Sequence, residues 1–509
     1  MAQVSDRRFH PAAACVLVLF GTGVCAGARI PVTTAAELRA AVVRAQPADS
    51  IVLADGTWDL NGAITVSTGG MPGRPVVVTA NSRNGAVVTG DSRFVLETAS
   101  HVVIEGLDFR STDGPAIELR GCSGVRITRN RFHLVDTKRA SWVVITGSED
   151  NPDAVSRGNR IDHNLFENKS VLGNFITVEG TRSAGFRVSQ YDTIDRNYFR
   201  NIGPRVHNVL EAIRIGSAEF SLSSGHTLLE RNLFERCDGD PEYVSVKSCD
   251  NVIRHNTFRE CLGSLSLRHG NRNTVDGNFI LGNGRTGTYT DSAGTTWALG
   301  TGGVRLYGDS MVVVNNYLEG LTGTLWDAPL AVTSGNAEYG DGQPPTKHFR
   351  IRDAVIAFNT LVNNRGALEI GYDGGGFQGN WWSLPPSGLT IANNIFAGSQ
   401  DTLVRLFVTP TNTRWEGNIA FAGAGGTVSR APLEGVTEAD PLLEREDGLW
   451  RPSAKSPAVD AAAGAFRWVT EDMDGQERGP AKDVGADERS MAKPTNRPLT
   501  PAEVGPNAP

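Results

Sequence analysis

Aromatic residues make up only 7% of this 509-residue chain, and methionine occurs five times. Beyond about residue 45 almost nothing carries the 3.6-residue apolar period of an amphipathic helix, which excludes a helical bundle. No apolar run reaches the ~20 residues needed to span a bilayer. Cysteine is scarce, six in all, and no C-x-x-C spacing is present for zinc or redox chemistry. An excess of positive charge is also missing. The formal net charge is −7, so the chain is a poor general binder of polyanions. Any polyanionic ligand needs cations gathered locally, and Arg205, Arg214, Lys247, Arg268, Arg272 and Arg305 could supply them.

What is abundant is glycine, 58 residues, together with asparagine at regular places. The start reads as a secretory leader over residues 1–28. Arg7 and Arg8 are its basic end, Ala12 to Val24 its apolar core, and Ala26-Gly27-Ala28 its small-residue cleavage site. The expected location is therefore secreted or periplasmic. Cleavage removes Asp6, Arg7 and Arg8 and takes the net charge from −7 to −8. It also removes Cys15 and Cys25 and leaves Cys122, Cys237, Cys249 and Cys261. An oxidising compartment permits a disulfide among these, and buried free thiols are the alternative. Thr34-Ala35-Ala36-Glu37 is a capping box. It predicts one short helix over residues 34–45, placed to cover the first coil of a solenoid.

Such a solenoid is expected from a repeat whose core is Asn-x-aromatic or Asn-x-aliphatic. Its copies begin at Asn130, Asn164, Asn197, Asn232, Asn256, Asn278, Asn316, Asn359, Asn394 and Asn418. The shortest spacings are 22 and 24 residues (Asn256 to Asn278, Asn232 to Asn256), and the longer ones are one period plus an insertion. A coil of that length holds three short strands and cannot bury its apolar face alone, whereas stacked coils share one continuous core. The fold class is accordingly all-β, a single-stranded right-handed parallel β-helix over residues 29–488. The asparagines form an inward ladder and serve structure rather than chemistry. Cys237 and Cys261 fall at the same phase of adjacent coils and are read as a stacked thiol pair, because parallel Cβ vectors disfavour a disulfide. Residues 456–460 and 472–488 read as a last coil and a polar closing segment. Residues 489–509 are Pro-rich and apolar-poor, and read as a disordered tail.

One stretch, from Asn208 to His269, carries more than scaffold. Aligning the coils on their asparagines puts Val244, Val246, Leu265 and Leu267 inward. Lys247 and Arg268, 21 residues apart, then become axial neighbours on the outer surface. Arg214 precedes them, and Arg305 and Tyr307 follow, so that Arg214, Lys247, Arg268, His269 and Arg305 make a wall of cations. Asn208, Asp240 and Glu242 lie beside it and are hard oxygen ligands suited to calcium.

The three motifs N-x-x-E-x-I-R-I-G, D-x-E-x-x-S-x-K-S and L-R-H-G-N occur in that order. In this the chain resembles polysaccharide lyase family 6, the alginate lyases and chondroitinase B, from about Thr34 to Asn418. The resemblance implies Lys247 as catalytic base and Arg268 as proton donor. It implies Asn208, Asp240 and Glu242 as ligands of Ca²⁺, and Arg214, His269 and Arg305 as groups lining the substrate groove. Glu211 is retained from the first motif and Tyr307 stands near the same column. The chain departs from the family at Asp240, where Glu is usual, and at Val209-Leu210, where Gly-Gly is common.

The implied reaction is a β-elimination on an anionic uronate polysaccharide, with alginate expected before chondroitin or dermatan sulfate. Calcium would neutralise the uronate carboxylate, and a base lysine must be in its neutral form, which nearby positive charge favours. An arginine is an awkward acid because its pKa exceeds ~12. His269 or water are alternatives to Arg268 in that role. A pectin hydrolase would need an acid–base carboxylate pair, and the Asp-Asp and Asn-Thr-Asp motifs of those enzymes are missing. The Asp-Pro-His motif of mannuronan epimerases is missing as well. A non-catalytic glycan-binding solenoid would not require a Lys-Arg column beside carboxylates. The expected partner is thus the polysaccharide, with neither nucleic acid nor a membrane span.

Overall fold

The computed structural model describes residues 27–148, 150–183, 185–340, 342–375, 382–399 and 401–509. The expected leader therefore lies, except for Gly27 and Ala28, outside the described residues. The chain is a right-handed parallel β-helix. Three long parallel sheets run along it, of 14, 12 and 14 stacked strands among the described residues, the middle one extended by the antiparallel strand Thr286–Thr290. Most strands are only three to five residues long because turn residues interrupt each apolar run after one or two inward side chains. The core is the stack of those inward residues, such as Ile104, Ile127, Ile161, Ile194 and Leu229, all fully buried.

The helix forms at Ala35–Arg44 as its capping box dictates. The Thr34 side chain accepts from the Glu37 amide, and Glu37 accepts from the Thr34 amide. Leu38, Ala41 and Val42 face the core and cover the first coil. The asparagine ladder also forms as expected. From Asn130 through Asn394 each side-chain amide donates to the side-chain oxygen of the asparagine one coil on, ending at Asn418, at 2.9–3.1 Å. Two positions after these asparagines, Phe132, Phe166, Phe199, Phe234 and Phe258 stack face to face at 4.5–5.1 Å. Such pairs add ~0.5–1.5 kcal/mol each beyond area burial. Cys237 and Cys261 are free and buried, and the Cys237 amide lies 3.4 Å from Cys261 Sγ, so the stacked thiol pair holds.

A second amide ladder, not read from the sequence, has one flaw. Asn159 donates to Asp192 Oδ1 at 3.0 Å, while Asp192 Oδ2 is buried without a partner. In the next coil Thr227 Oγ1 is also buried without one, and the Leu228 amide bonds to the Asp192 carbonyl. Burial raises the Asp192 carboxyl to about 6 from 3.8. A raised folded-state pKa means stability that is full below pH 3.8 and lost as pH rises through about 6. Asp192→Asn should therefore stabilise the chain by about 1–3 kcal/mol above pH 6 and by little near pH 4. Denaturant midpoints of both proteins across that range check this.

Two expectations for the C-terminal part do not hold. The last strand of the solenoid is Val436–Glu438, and residues 456–488 form no further coil. Instead the chain turns back along the outer flank. Leu449, Ala458, Met473, Val484 and Ala486 pack on Phe279, Tyr317, Val362 and Ile395, which earlier coils present outward. The Asp472 carboxylate ties this segment by accepting from the amides of Asp474, Gln476 and Glu488. Residues 489–509 are ordered too. Asn496 donates to the Gly277 carbonyl, Leu499 N to Thr257 Oγ1, and Arg129 to the carbonyls of Pro506 and Ala508. Val504 is buried against Tyr198 and Leu233. Low apolar content misleads here because the solenoid flank supplies the apolar surface.

Candidate active site

The site lies on the outer face of the sheet containing strands Ile213–Gly216, Glu242–Lys247, Gly263–His269 and Thr296–Leu306. Period-two alternation sends Ile213, Ile215, Val244, Val246, Leu265, Leu267, Val304 and Leu306 into the core. Parallel register then lines up Arg214, Ser245, Ser266 and Arg305 in one outward column. The two serines are small, so Arg305 lies back over them. Its Nε donates to Ser266 Oγ at 3.2 Å and its Nη2 to Glu242 Oε1 at 2.8 Å.

Lys247 and Arg268 are not simple ladder neighbours. The coil repeat is 21 residues at Val244–Leu265 and 22 at Lys247–His269, because a β-bulge intervenes. Lys247 therefore pairs in register with His269, and Leu267 and Arg268 together face Val246. Bulges re-aim side chains beside active sites. Here Arg268 stays half-exposed over a cleft while His269 is buried.

That cleft has a volume of about 290 Å³, and Asn208, Asp240, Glu242, Lys247, Arg268, Arg305 and Tyr307 are among its lining residues. Three expected site residues stand outside the lining. Arg214 is held by Glu179 at 2.6 Å, Glu211 is buried 3.9 Å from Lys247 Nζ, and His269 lies beneath. Seven lining residues were not read from the sequence, namely His207, Pro241, Trp326, His348, Tyr372, Asp373 and Trp382. The last five come from insertions between later coils, where no repeat phase fixes position.

Charge is concentrated here. Arg268 Nε is 3.3 Å from Glu242 Oε1, the oxygen that also receives Arg305, and Ser245 Oγ donates to Glu242 Oε2. Burial opposes the Glu242 charge, but Lys247, Arg305 and Arg268 outweigh it and bring the carboxyl down to about 2. The Tyr307 ring lies under both guanidiniums, 5.2 Å from Arg268 Cζ and 5.8 Å from Arg305 Cζ. Burial, then Arg268 and Lys247, push His269 down to about 3, so its ring is neutral at pH 7 and is no imidazolium donor. An open cleft with one lysine, two arginines and buried carboxylates suits an anionic substrate that loses a proton.

Residues 32–407 match the family model of chondroitinase B. The chain belongs to that family, polysaccharide lyase family 6. No curated protein matches the chain. Among solved structures, the family's alginate lyase AlyGC is 29% identical, with a TM-score of 0.70 over 84% of this chain. The chain spans 56% of AlyGC's length. A mannuronic acid specific family 6 lyase from human gut microbiota is 26% identical, with a TM-score of 0.64, over 77% of this chain and 86% of its own. The family 6 lyase Pedsa3628 from Pseudopedobacter saltans, 20% identical at a TM-score of 0.61, covers 94% of this chain and 99% of its own and shares the fold. This is a polysaccharide lyase scaffold with its charged cleft on the matched part of the chain.

The family implies a calcium ion, and the expected oxygen donors Asn208, Asp240 and Glu242 all line the cleft. Glu211, Asp240 and Glu242 are all buried, and Glu211 Oε2 has no hydrogen-bond partner. Burial, then Glu211 and Glu242, push the Asp240 carboxyl well above the usual range. An excess of buried carboxylate with an orphaned oxygen is the environment that a hard divalent cation relieves. Asp240, the shorter residue in place of the usual Glu, spends its oxygens on the amides of Glu242 (3.0 Å) and Leu210 (3.5 Å). Asn208 is exposed, and its Oδ1 accepts from the Val209 amide at 2.9 Å. Val209 itself sits at φ +71°, a region that strains a β-branched residue and that the family's usual glycine adopts freely.

Proposed function

We propose that this chain cleaves an anionic uronate polysaccharide, alginate before other substrates, by β-elimination. One observation carries the reading: Lys247, Arg268 and Arg305 converge on a single cleft beside buried carboxylates, in a chain whose net charge is −7. Lys247 takes the proton from C5 of the uronate. The electron pair forms the C4–C5 double bond as the bond from C4 to the glycosidic oxygen breaks. Arg268 stabilises that leaving oxygen and relays to it a proton from water, and the neutral His269 is left out of this step. Arg305 and Tyr307 bind the sugar beside them. Asn208, Asp240 and Glu242 would hold a calcium ion, which when bound neutralises the substrate carboxylate and stabilises the charge that develops there.

Alginate is favoured because two relatives above 25% identity are described as an alginate lyase and a mannuronic acid specific lyase. Chondroitin or dermatan sulfate is the second reading, favoured by the family model itself. We place the enzyme outside the cytoplasm, on the leader over residues 1–28. Among the described residues no helix is long and apolar enough to cross a membrane.

The test is a panel of alginate, chondroitin sulfate and dermatan sulfate, read by the ultraviolet absorbance of unsaturated uronate ends. Absorbance should rise first on alginate. A chelator should slow it at least about tenfold, and added Ca²⁺ should restore it. Binding of a glycan with no absorbance on any substrate would make the chain a non-catalytic solenoid. Full activity in chelator would remove calcium and leave the elimination.

A further inference from the structure

We propose that His348 is a positioning residue for Arg268, holding its guanidinium in place over the cleft by accepting a hydrogen bond on Nε2. The inference rests on the lyase reading and adds a residue to its machinery.

Arg268 Nη1 and His348 Nε2 are in hydrogen-bond contact. A guanidinium has only donors and stays protonated in proteins. The imidazole nitrogen facing it must therefore be the acceptor, which places the ring proton on Nδ1. Nδ1 itself is buried without a partner. Among the described residues no other group thus competes for the orientation of the ring, and its one hydrogen-bond partner there is Arg268. Burial, then Arg268, His269 and Arg305, hold His348 far below the ordinary histidine range, consistent with a ring that keeps its acceptor free.

The ring is wedged as well as bonded. Trp382 meets it edge-on at 3.9 Å and Tyr307 at 4.9 Å, and the His269 ring is 5.9 Å away. Its backbone is anchored by a two-way bond with Asn336. The His348 amide donates to Asn336 Oδ1 at 3.0 Å, and the Asn336 amide donates to the His348 carbonyl at 2.8 Å. Next to it Phe349 stacks on Tyr339 at 4.1 Å. Arg268 is thereby gripped from three directions: by Glu242 at Nε, by His348 at Nη1 and by the Tyr307 ring below. Without His348 the Glu242 carboxylate, 3.3 Å away, would draw the guanidinium toward the buried carboxylates and away from the leaving oxygen. A residue from an insertion after the solenoid column so fixes a residue of the column.

Three variants separate this role from simple packing. His348→Phe keeps a ring of similar size and loses the acceptor. His348→Gln places an oxygen near the position of Nε2. His348→Ala removes both. With thermal midpoints as a folding check, His348→Phe should lower kcat about 10–100-fold with KM changed less than about threefold. His348→Gln should recover most of that loss. Equal activity in the Phe and Gln variants, or a loss confined to KM, overturns the proposal. A second readout does not need activity. Nitrogen NMR of ¹⁵N-histidine-labelled protein should show His348 as the Nδ1–H tautomer, and Arg268→Ala should abolish that preference. An Nε2–H tautomer in the wild type overturns the proposal even if no polyuronate is cleaved, whereas wild-type silence on every substrate with the Nδ1–H tautomer present overturns only the lyase reading.

Discussion

Lys247→Ala should lower the release of unsaturated ends by at least about 10³-fold while leaving the fold intact. Lys247 lines the cleft with its side chain 16% exposed, and its one ion-pair partner among the described residues is Glu211 at 3.9 Å. It holds no strand in place. Its aliphatic stem leaves the sheet at the bulge, and the core beneath is Val246. Removing the amine takes away the group proposed to accept the C5 proton, and general-base contributions of ~10²–10⁴ are typical. Initial rates on alginate with matched thermal midpoints check this. A variant within tenfold of wild type would mean that another group takes the proton.

Glu242→Ala should be the most destabilising single change in the cleft. Arg305 is only 2% exposed and its Nη2 is bound to Glu242 Oε1, which also faces Arg268. Removing the carboxylate leaves a buried guanidinium uncompensated, and breaking such a pair costs ~3–5 kcal/mol. Ser245 loses its acceptor in the same step. The thermal midpoint should fall clearly for Glu242→Ala and less for Glu242→Gln, whose amide oxygen still accepts from Arg305. Equal midpoints for Glu242→Ala and wild type would mean that water reaches Arg305 freely.

Much of this could be read from the residues because a solenoid is a local code. Each coil repeats the instruction Asn-x-aromatic, so Asn130 to Asn418 declare the ladder without reference to distant sequence. The same phase counting placed Val246 and Leu267 inward and put Lys247, Arg268 and Arg305 on one face. Counting fails where one residue is gained or moved. The bulge that pairs Lys247 with His269 shifts register by a single residue, and composition carries no trace of it. It fails again at insertions. Trp326, His348 and Trp382 reach the cleft only because loops from separate coils fold over it, and loop placement is decided by tertiary contacts. The flaw at Asp192 was equally hidden, since an aspartate in a turn is ordinary until the neighbouring coil shows that an amide belongs there.

The backward run of the last seventy residues gives the molecule a mechanical property that a plain stack of coils lacks. A repeat array senses only its nearest neighbours and can peel open from either end. Here one covalent thread is stitched to coils at Phe358, Tyr317, Gly277, Thr257, Tyr198 and Arg129. Pulling any of those coils away from the next must also break the stitches on either side. The rod therefore behaves as a beam with a tension cable along one flank. Bending that would open the gaps between coils on that flank is resisted. The cleft is set in a different sheet from the strands the thread grips, so the thread stiffens the rod without covering the site.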